Sequence, residues 1–357
     1  LRSDNKCDEH ILLNSIGDKL TSKDLICKTC NSTFGADIDA ELSKQLNIPA
    51  NMLNIKRDRG TPQPFTARGS KTGEEFILNP GSKPSFKKPI IHIDNEVNKI
   101  KITGFFRSMH EAKKIIKSLK HKYPKINVRT FWDNLVMGKQ YISEPINFKQ
   151  SIGGPKAFRS ICKMAVNFYL YSGGDINDIS HLIPYIKTGN EKDPVWFYYN
   201  NSEIIDKQPE EIIHGIIITG IQKYNVLYAY IELFNAYRFI VLLNDDYKDA
   251  DFKAEYFYDV LGRQPIVRKC SLNISKTEIH SLLNDKVAPT QYIHDKLRDL
   301  GLLIGKKQYE DFMNEMVMNA WKSTIGKYPE GEIVTEDRFN EFWSEFHKDL
   351  LPWCEHL

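Results

Sequence analysis

No stretch of the 357-residue chain stays apolar for long enough to read as a membrane span. The most apolar run, Val226 to Leu243, is interrupted by Glu232, Asn235 and Arg238, and no membrane partner is expected. No secretory signal is visible. Cysteine is sparse: the six residues, two of them in one Cys-x-x-Cys, do not make the disulfide framework of a secreted domain, so a reducing cytoplasm is the expected compartment. Low-complexity tracts and internal repeats are absent, and the 41% apolar content with plentiful aromatics argues for folded domains rather than long disorder. The Gly153-Gly154 pair lacks the Lys-Ser/Thr of a phosphate loop. Asp245, Asp246, Asp249 and Asp251 lack the glycine and closing glutamate of a calcium hand, so they read as a solvated turn.

Strong net charge is missing too, at +3, but the charge is unevenly spread. Lys101 to Asn190 carries 15 Lys/Arg against 5 Asp/Glu, whereas residues 191–357 carry 19 against 28. Such asymmetry suits a middle segment that faces a polyanion.

The informative stretch lies near the start. Cys7-Asp8-Glu9-His10-Ile11-Leu12-Leu13-Asn14-Ser15-Ile16-Gly17 is followed by Lys23-Asp24-Leu25-Ile26-Cys27-Lys28-Thr29-Cys30-Asn31. Hydrolysis of a phosphodiester needs a base for water and a cation for the developing charge. Imidazole suits the first role near neutral pH, and carboxylate or amide oxygens suit a hard divalent ion for the second. Cys27 and Cys30 have the spacing of half a zinc site.

Order and spacing together resemble the ββα-metal (His-Me) finger of the HNH endonucleases, in the branch whose core reads Glu-His-Ile-Ile-Pro, Gly-Gly, then Leu-Cys-x-x-Cys-Asn. The resemblance covers the first forty to fifty residues. It implies that His10 is the general base and that Glu9 and Asn31 hold one magnesium or manganese ion. Asp24 falls where the family has the asparagine that orients the histidine. Cys27 and Cys30 would hold a structural zinc. The family normally supplies a second Cys-x-x-Cys upstream; it is expected ahead of Leu1, the alternatives being a degenerate site or Cys7 as a third ligand. Leu13 replaces the family's proline, and Asp18 its second glycine.

Along the chain, Ala36 to Leu46 predicts a helix with Ile38, Leu42 and Leu46 on one face, separated by Gly35 from the turn bearing Asn31. Lys56, Arg57 and Arg59 form a basic loop, either solvated linker or phosphate contact. Residues 61–100 read as strands and turns. Ser108 and Glu111 make a capping box before a helix whose Lys113 and Lys117 face away from Ala112, Ile115, Ile116 and Leu119. A helix opening at Pro155 carries the apolar stripe Phe158, Ile161, Cys162, Ala165, Phe168 and Tyr169, with Lys156, Arg159 and Lys163 as a phosphate track on another face. Val226 to Phe234 and Arg238 to Leu243 predict a hairpin, and His214 reads as structural. Ser275 and Thr335 cap further helices, the last with Phe339, Phe342, Trp343 and Phe346 on one face.

The expected architecture is α+β: an HNH-like ββα-metal module over 1–50, a β-rich connector over 51–100, a basic-to-mixed α+β region over 101–290 and a helical segment over 291–357. The expected function is metal-dependent endonuclease cleavage of DNA, of the restriction, phage-defence or mobile-element type, with a homodimer through the C-terminal helices as the sharper reading of their aromatic faces. The alternative is a catalytically degenerate HNH-like protein that binds nucleic acid or a partner.

Overall fold

A computed structural model describes residues 5–96, 99–106, 108–124, 128–133, 135, 141–200 and 202–354; Arg107, Lys125 and Lys139 of the basic segment lie outside the described residues. The architecture is α+β. The chain divides into two compact units, Leu1–Pro62 with Gln150–Lys306 and Gln63–Lys149 with Lys307–Leu357.

The first unit begins with a two-residue ribbon. Strand β1 (Glu9–His10) pairs antiparallel with β2 (Thr21–Ser22), Glu9 opposite Ser22 and His10 opposite Thr21. Between them a 3-10 turn, Asn14–Ile16, closes on Gly17 at φ +97°. Glycine is required there: a Cβ would lie 2.8 Å from Ile55 Cγ2, in a left-handed backbone that L side chains rarely adopt. Leu13, in the family's proline position, keeps a proline-like φ of −64° and buries its side chain. Three short helices follow, α1 (Lys28–Ala36), α2 (Ile38–Gln45) and α3 (Asn47–Met52). Gly35 does not interrupt the first: α1 continues through it, and the break falls at Asp37.

Helix α4 (Pro155–Tyr171) starts with proline in its first turn, where a missing N–H costs nothing. Every residue from Ala157 to Tyr169 is buried, so this helix has no solvated flank along its middle. It packs on a six-stranded antiparallel sheet of β3 (Val195–Phe197), β4 (Ile213–Ile221), β5 (Val226–Leu233), β6 (Tyr237–Asn244), β7 (Phe252–Asp259) and β8 (Gln264–Ile266), in the order β8-β7-β4-β5-β6-β3. Alternate side chains serve opposite faces. Ile216, Ile218, Ala229, Ile231, Phe239 and Val241 join α4 and the finger in one core. Ile217, Tyr228, Tyr230 and Ile240 pack on the other side with Ile279 and Leu283 of the helix Lys276–Asp285. Burial on both faces explains why β4, β5 and β6 read as nearly continuous apolar runs.

Ile11, Leu12, Ile16, Ile38 and Leu42 of the finger are fully buried in that same first core. At about 1.5–3 kcal/mol for each buried aliphatic side chain, docking of the finger is a large part of the unit's stability. Directional contacts fix it. His214 accepts the Phe234 N–H at Nδ1 (3.1 Å), so its Nε2–H is free to donate to the Ile16 carbonyl at 3.0 Å. Burial pushes this imidazole down to about 4, so it stays neutral, the structural role read for it. Asp18 accepts the Leu20 N–H at 2.8 Å and lies 3.1 Å from the Tyr256 hydroxyl of β7.

The second unit holds an antiparallel sheet ordered Lys83–Phe86, Glu75–Asn79, Phe65–Gly69, Ile146–Asn147, and a two-stranded ribbon, Ile90–Glu96 with Lys99–Phe105. The Ser108 hydroxyl accepts the Glu111 N–H and caps the helix Met109–Lys122, whose Ala112 and Ile116 are buried. The helix Thr290–Ser323 begins in the first unit and ends in the second. There its Met316 and Ala320 pack with Phe346 of the helix Glu336–Cys354, so the two aromatic faces cover each other in part. Among the described residues, no helix is long and apolar enough to cross a membrane.

Candidate active site

Glu9, His10, Asn31, Asp39 and Lys163 line one open cleft in the first unit. β1 supplies Glu9 and His10; the first turns of α1 supply Asn31; α2 supplies Asp39 and α4 supplies Lys163. The acid, imidazole and amide singled out in the sequence therefore face a common space, although Glu9 and Asn31 are held by quite different partners.

His10 is half-buried, with Nε2 3.5 Å from Asp58 Oδ2. Its Nδ1 is shielded and has no hydrogen-bond partner among the described residues. Burial holds the imidazole below its ordinary pKa, outweighing the upward pull of Asp58, so the ring is neutral at neutral pH.

The carboxylate that faces His10 is therefore that of Asp58. Asp24 lies beyond the end of β2, exposed, and pairs with Lys6 instead. The loop after α3 returns to the finger and brings Asp58 to His10. Asp58 is anchored there by Lys19 and by Asn14, whose Nδ2 donates to it at 2.7 Å while Asn14 Oδ1 accepts the Asp58 N–H at 3.0 Å. The flanking Lys56 and Arg59 are exposed, and Arg57 is half-buried with its Nε lacking a partner among the described residues. The basic loop consequently borders His10.

Glu9 is only 3% exposed. Its Oε1 lies 2.5 Å from Lys163 Nζ and 3.1 Å from Asn167 Nδ2. Lys163 Nζ also lies 2.6 Å from Asp39 Oδ2, and Ser160 donates to Asp39 Oδ1 at 2.7 Å. Burial opposes the Lys163 charge, but Asp39 and Glu9 outweigh it and keep the ammonium protonated. The expected phosphate track on α4 is corrected accordingly. Lys163 is enclosed, and Arg159 is nearly so, its guanidinium donating to the Ile186 and Lys187 carbonyls and facing Asp37. Only Lys156 faces solvent, paired with Asp37 at 2.5 Å. In the second unit, Lys113 and Lys117 are exposed on their helix.

Asn31 Nδ2 donates to the Asp8 carbonyl at 3.0 Å and to Cys7 Sγ at 3.3 Å, leaving Oδ1 as its available acceptor. Cys27 caps α1, its sulfur accepting the Cys30 N–H at 3.4 Å. Hydrogen bonds from Cys30 lower the Cys27 pKa and raise that of Cys30 in return. A bridge between Lys6 and Cys27 brings Cys7 beside this pair.

Residues 2–47 match the HNH endonuclease family. No curated protein and no solved structure matches the chain. The HNH match supports a nuclease-type function, and the family generally uses a divalent metal. Among the described residues no group of three or more His, Cys, Asp or Glu is arranged to hold a metal ion. The donors nevertheless fit a hard ion in kind. Magnesium is commonly held by one or two protein oxygens with water completing its shell, and the Glu9 carboxylate and Asn31 Oδ1 are such oxygens. Cys27 and Cys30 fit half of a tetrahedral zinc site, with Cys7 as the nearest additional thiol.

Asp58, Asp39 and Asn167 were not legible as HNH-site residues. Asp58 is the single acid among three cations in its loop, a weak signal that its carboxylate has a partner in another element. Asp39 sits beside Ile38 on the buried edge of α2, where an unpaired carboxylate would be costly.

Proposed function

We propose that the HNH module is a metal-dependent endonuclease that hydrolyses DNA phosphodiester bonds. His10 is the general base: a neutral ring that lines the cleft beside Glu9 and Asn31, its Nε2 side turned to Asp58, takes the proton of the attacking water. Glu9 and Asn31 Oδ1 would hold magnesium or manganese, which when bound supplies charge stabilisation at the scissile phosphate and leaving oxygen. Cys27 and Cys30, with a structural zinc, would brace the turn into α1. Lys56, Arg57 and Arg59 are the nearest phosphate contacts, and exposed Lys113 and Lys117 add non-specific affinity. Asp58 is a positioning residue. By resemblance the products carry 5′-phosphate and 3′-hydroxyl ends, and the biological setting is restriction, phage defence or a mobile element.

The observation that carries this reading is the placing of His10: a neutral imidazole, its Nε2 3.5 Å from the Asp58 carboxylate, in the cleft that also holds Glu9 and Asn31. The test is nicking of plasmid DNA with Mg2+ or Mn2+. His10→Ala is expected to lower the rate at least about a hundredfold while leaving DNA affinity intact. Equal loss of binding and cleavage would make His10 a structural residue.

The Lys163 ammonium on Glu9 favours a second reading, a degenerate HNH protein that only binds nucleic acid. That reading predicts steeply salt-dependent DNA affinity and no cleavage with any divalent ion.

A further inference from the structure

The first carboxylate of the proposed metal site already has a cation. Lys163 Nζ contacts Glu9 Oε1 at 2.5 Å and Asp39 Oδ2 at 2.6 Å, and Lys163 as a whole is 2% exposed. The arrangement is built rather than incidental. Ser160, Lys163 and Asn167 follow one another on a single face of α4: Ser160 contacts Asp39, Asn167 contacts Glu9, and Lys163 contacts both. Helix α4 is outside the HNH segment, so the finger alone cannot supply this charge.

Two buried carboxylates this close repel unless a cation lies between them. A divalent ion on Glu9 and an ammonium on the same oxygen would repel each other in turn, strongly where solvent is excluded. The two therefore compete for Glu9, whose Oε1 Lys163 already holds. Asp39 gives Lys163 a second partner, so the ammonium can leave Glu9 without losing its only counter-charge.

We propose that Lys163 is an exchangeable internal counter-ion of the HNH centre: it neutralises Glu9 and Asp39 in the metal-free protein, and a divalent ion gains Glu9 only by displacing the ammonium towards Asp39. The inference rests on the metal-dependent reading of the site. Metal uptake is then a competition, and the lysine sets its affinity.

The experiment is Mn2+ binding to the full chain by isothermal titration calorimetry, with melting temperature followed in parallel. Lys163→Met is expected to bind Mn2+ at least about tenfold more tightly than the wild type, because the ion now relieves two bare carboxylates. The same variant melts lower without metal and gains more from Mn2+ than the wild type does. Since it is liable to unfold, Lys163→Met/Asp39→Asn, which removes one charge of each sign, is the companion variant; it too should bind more tightly than the wild type. Glu9→Gln added to either should abolish the gain. Equal Mn2+ affinity in the wild type and in a folded variant overturns the exchange and leaves the metal reading standing. Absence of Mn2+ binding in the wild type and in a folded variant overturns both.

Discussion

At His10, burial and the Asp58 carboxylate pull the imidazole in opposite directions, burial the more strongly. Asp58→Asn keeps a side chain of the same shape but removes the charge, so the His10 titration should move to lower pH. Cleavage should fall as well, by about tenfold or more, because the neutral amide no longer offsets the positive charge the ring gains on taking a proton. NMR titration of the His10 ring checks the first outcome and plasmid nicking the second. An unmoved titration with full activity would remove Asp58 from the mechanism. Asp24→Asn serves as the contrast: its carboxylate pairs with Lys6, so neither quantity should change. The family pattern pointed to residue 24 because sequence order was the only guide; the loop that carries Asp58 reaches His10 through the side chains of Asn14 and Lys19, contacts that no spacing rule encodes.

Elements with a local cause were legible, and those with a distant one were not. Capping by Ser108 and Ser275, the proline start of α4, the β5–β6 hairpin and the buried stripe Ile38, Leu42, Leu46 each follow from neighbouring residues, and each is present. Helix α4 misled because Lys156, Arg159 and Lys163 recur at helical spacing, the same pattern a solvated basic face would give. The burial of Arg159 and Lys163 depends on Asp37, Asp39, Glu9 and two carbonyls contributed by other elements, while Lys156 stays exposed. The turn after β1 is a parallel case. Asp18, in the family's second-glycine position, is fully buried, and burial pushes its carboxyl up to about 7. The folded protein therefore holds a proton there that the unfolded chain releases near pH 4, and this residue's contribution to stability declines as pH rises from about 4 to about 7. His214, pushed down to about 4, contributes in the opposite sense between about 4 and 6.5. Asp18→Asn should remove the first effect. The stability of the variant relative to wild type is then expected to grow with pH and level off above about 7, by at most about 4 kcal/mol. Urea unfolding at several pH values measures it, and a difference that is flat with pH would mean that Asp18 is ionised in the fold.

At the scale of the whole chain, the HNH segment is not an appendage. Its apolar residues share one core with α4 and the large sheet, His214 and Tyr256 bind its backbone and its Asp18, and α4 provides the cation for Glu9. The match to residues 2–47 does not reach this dependence, because Asp58 lies beyond it and α4 and the large sheet arrive only after Gln150. Leu42 lies in that core, fully buried on α2. Leu42→Ala should cost about 2–5 kcal/mol. If the finger and the sheet unfold as one cooperative unit, hydrogen exchange should quicken by the same free energy at amides of α2 and at amides of the central strands β4 and β5. Acceleration confined to α1, α2 and α3, with the strand amides unchanged, would instead establish the finger as a separately unfolding element. In that event the Lys163–Glu9 contact would open with each local unfolding of the finger, and metal uptake would follow the finger's own stability rather than that of the sheet.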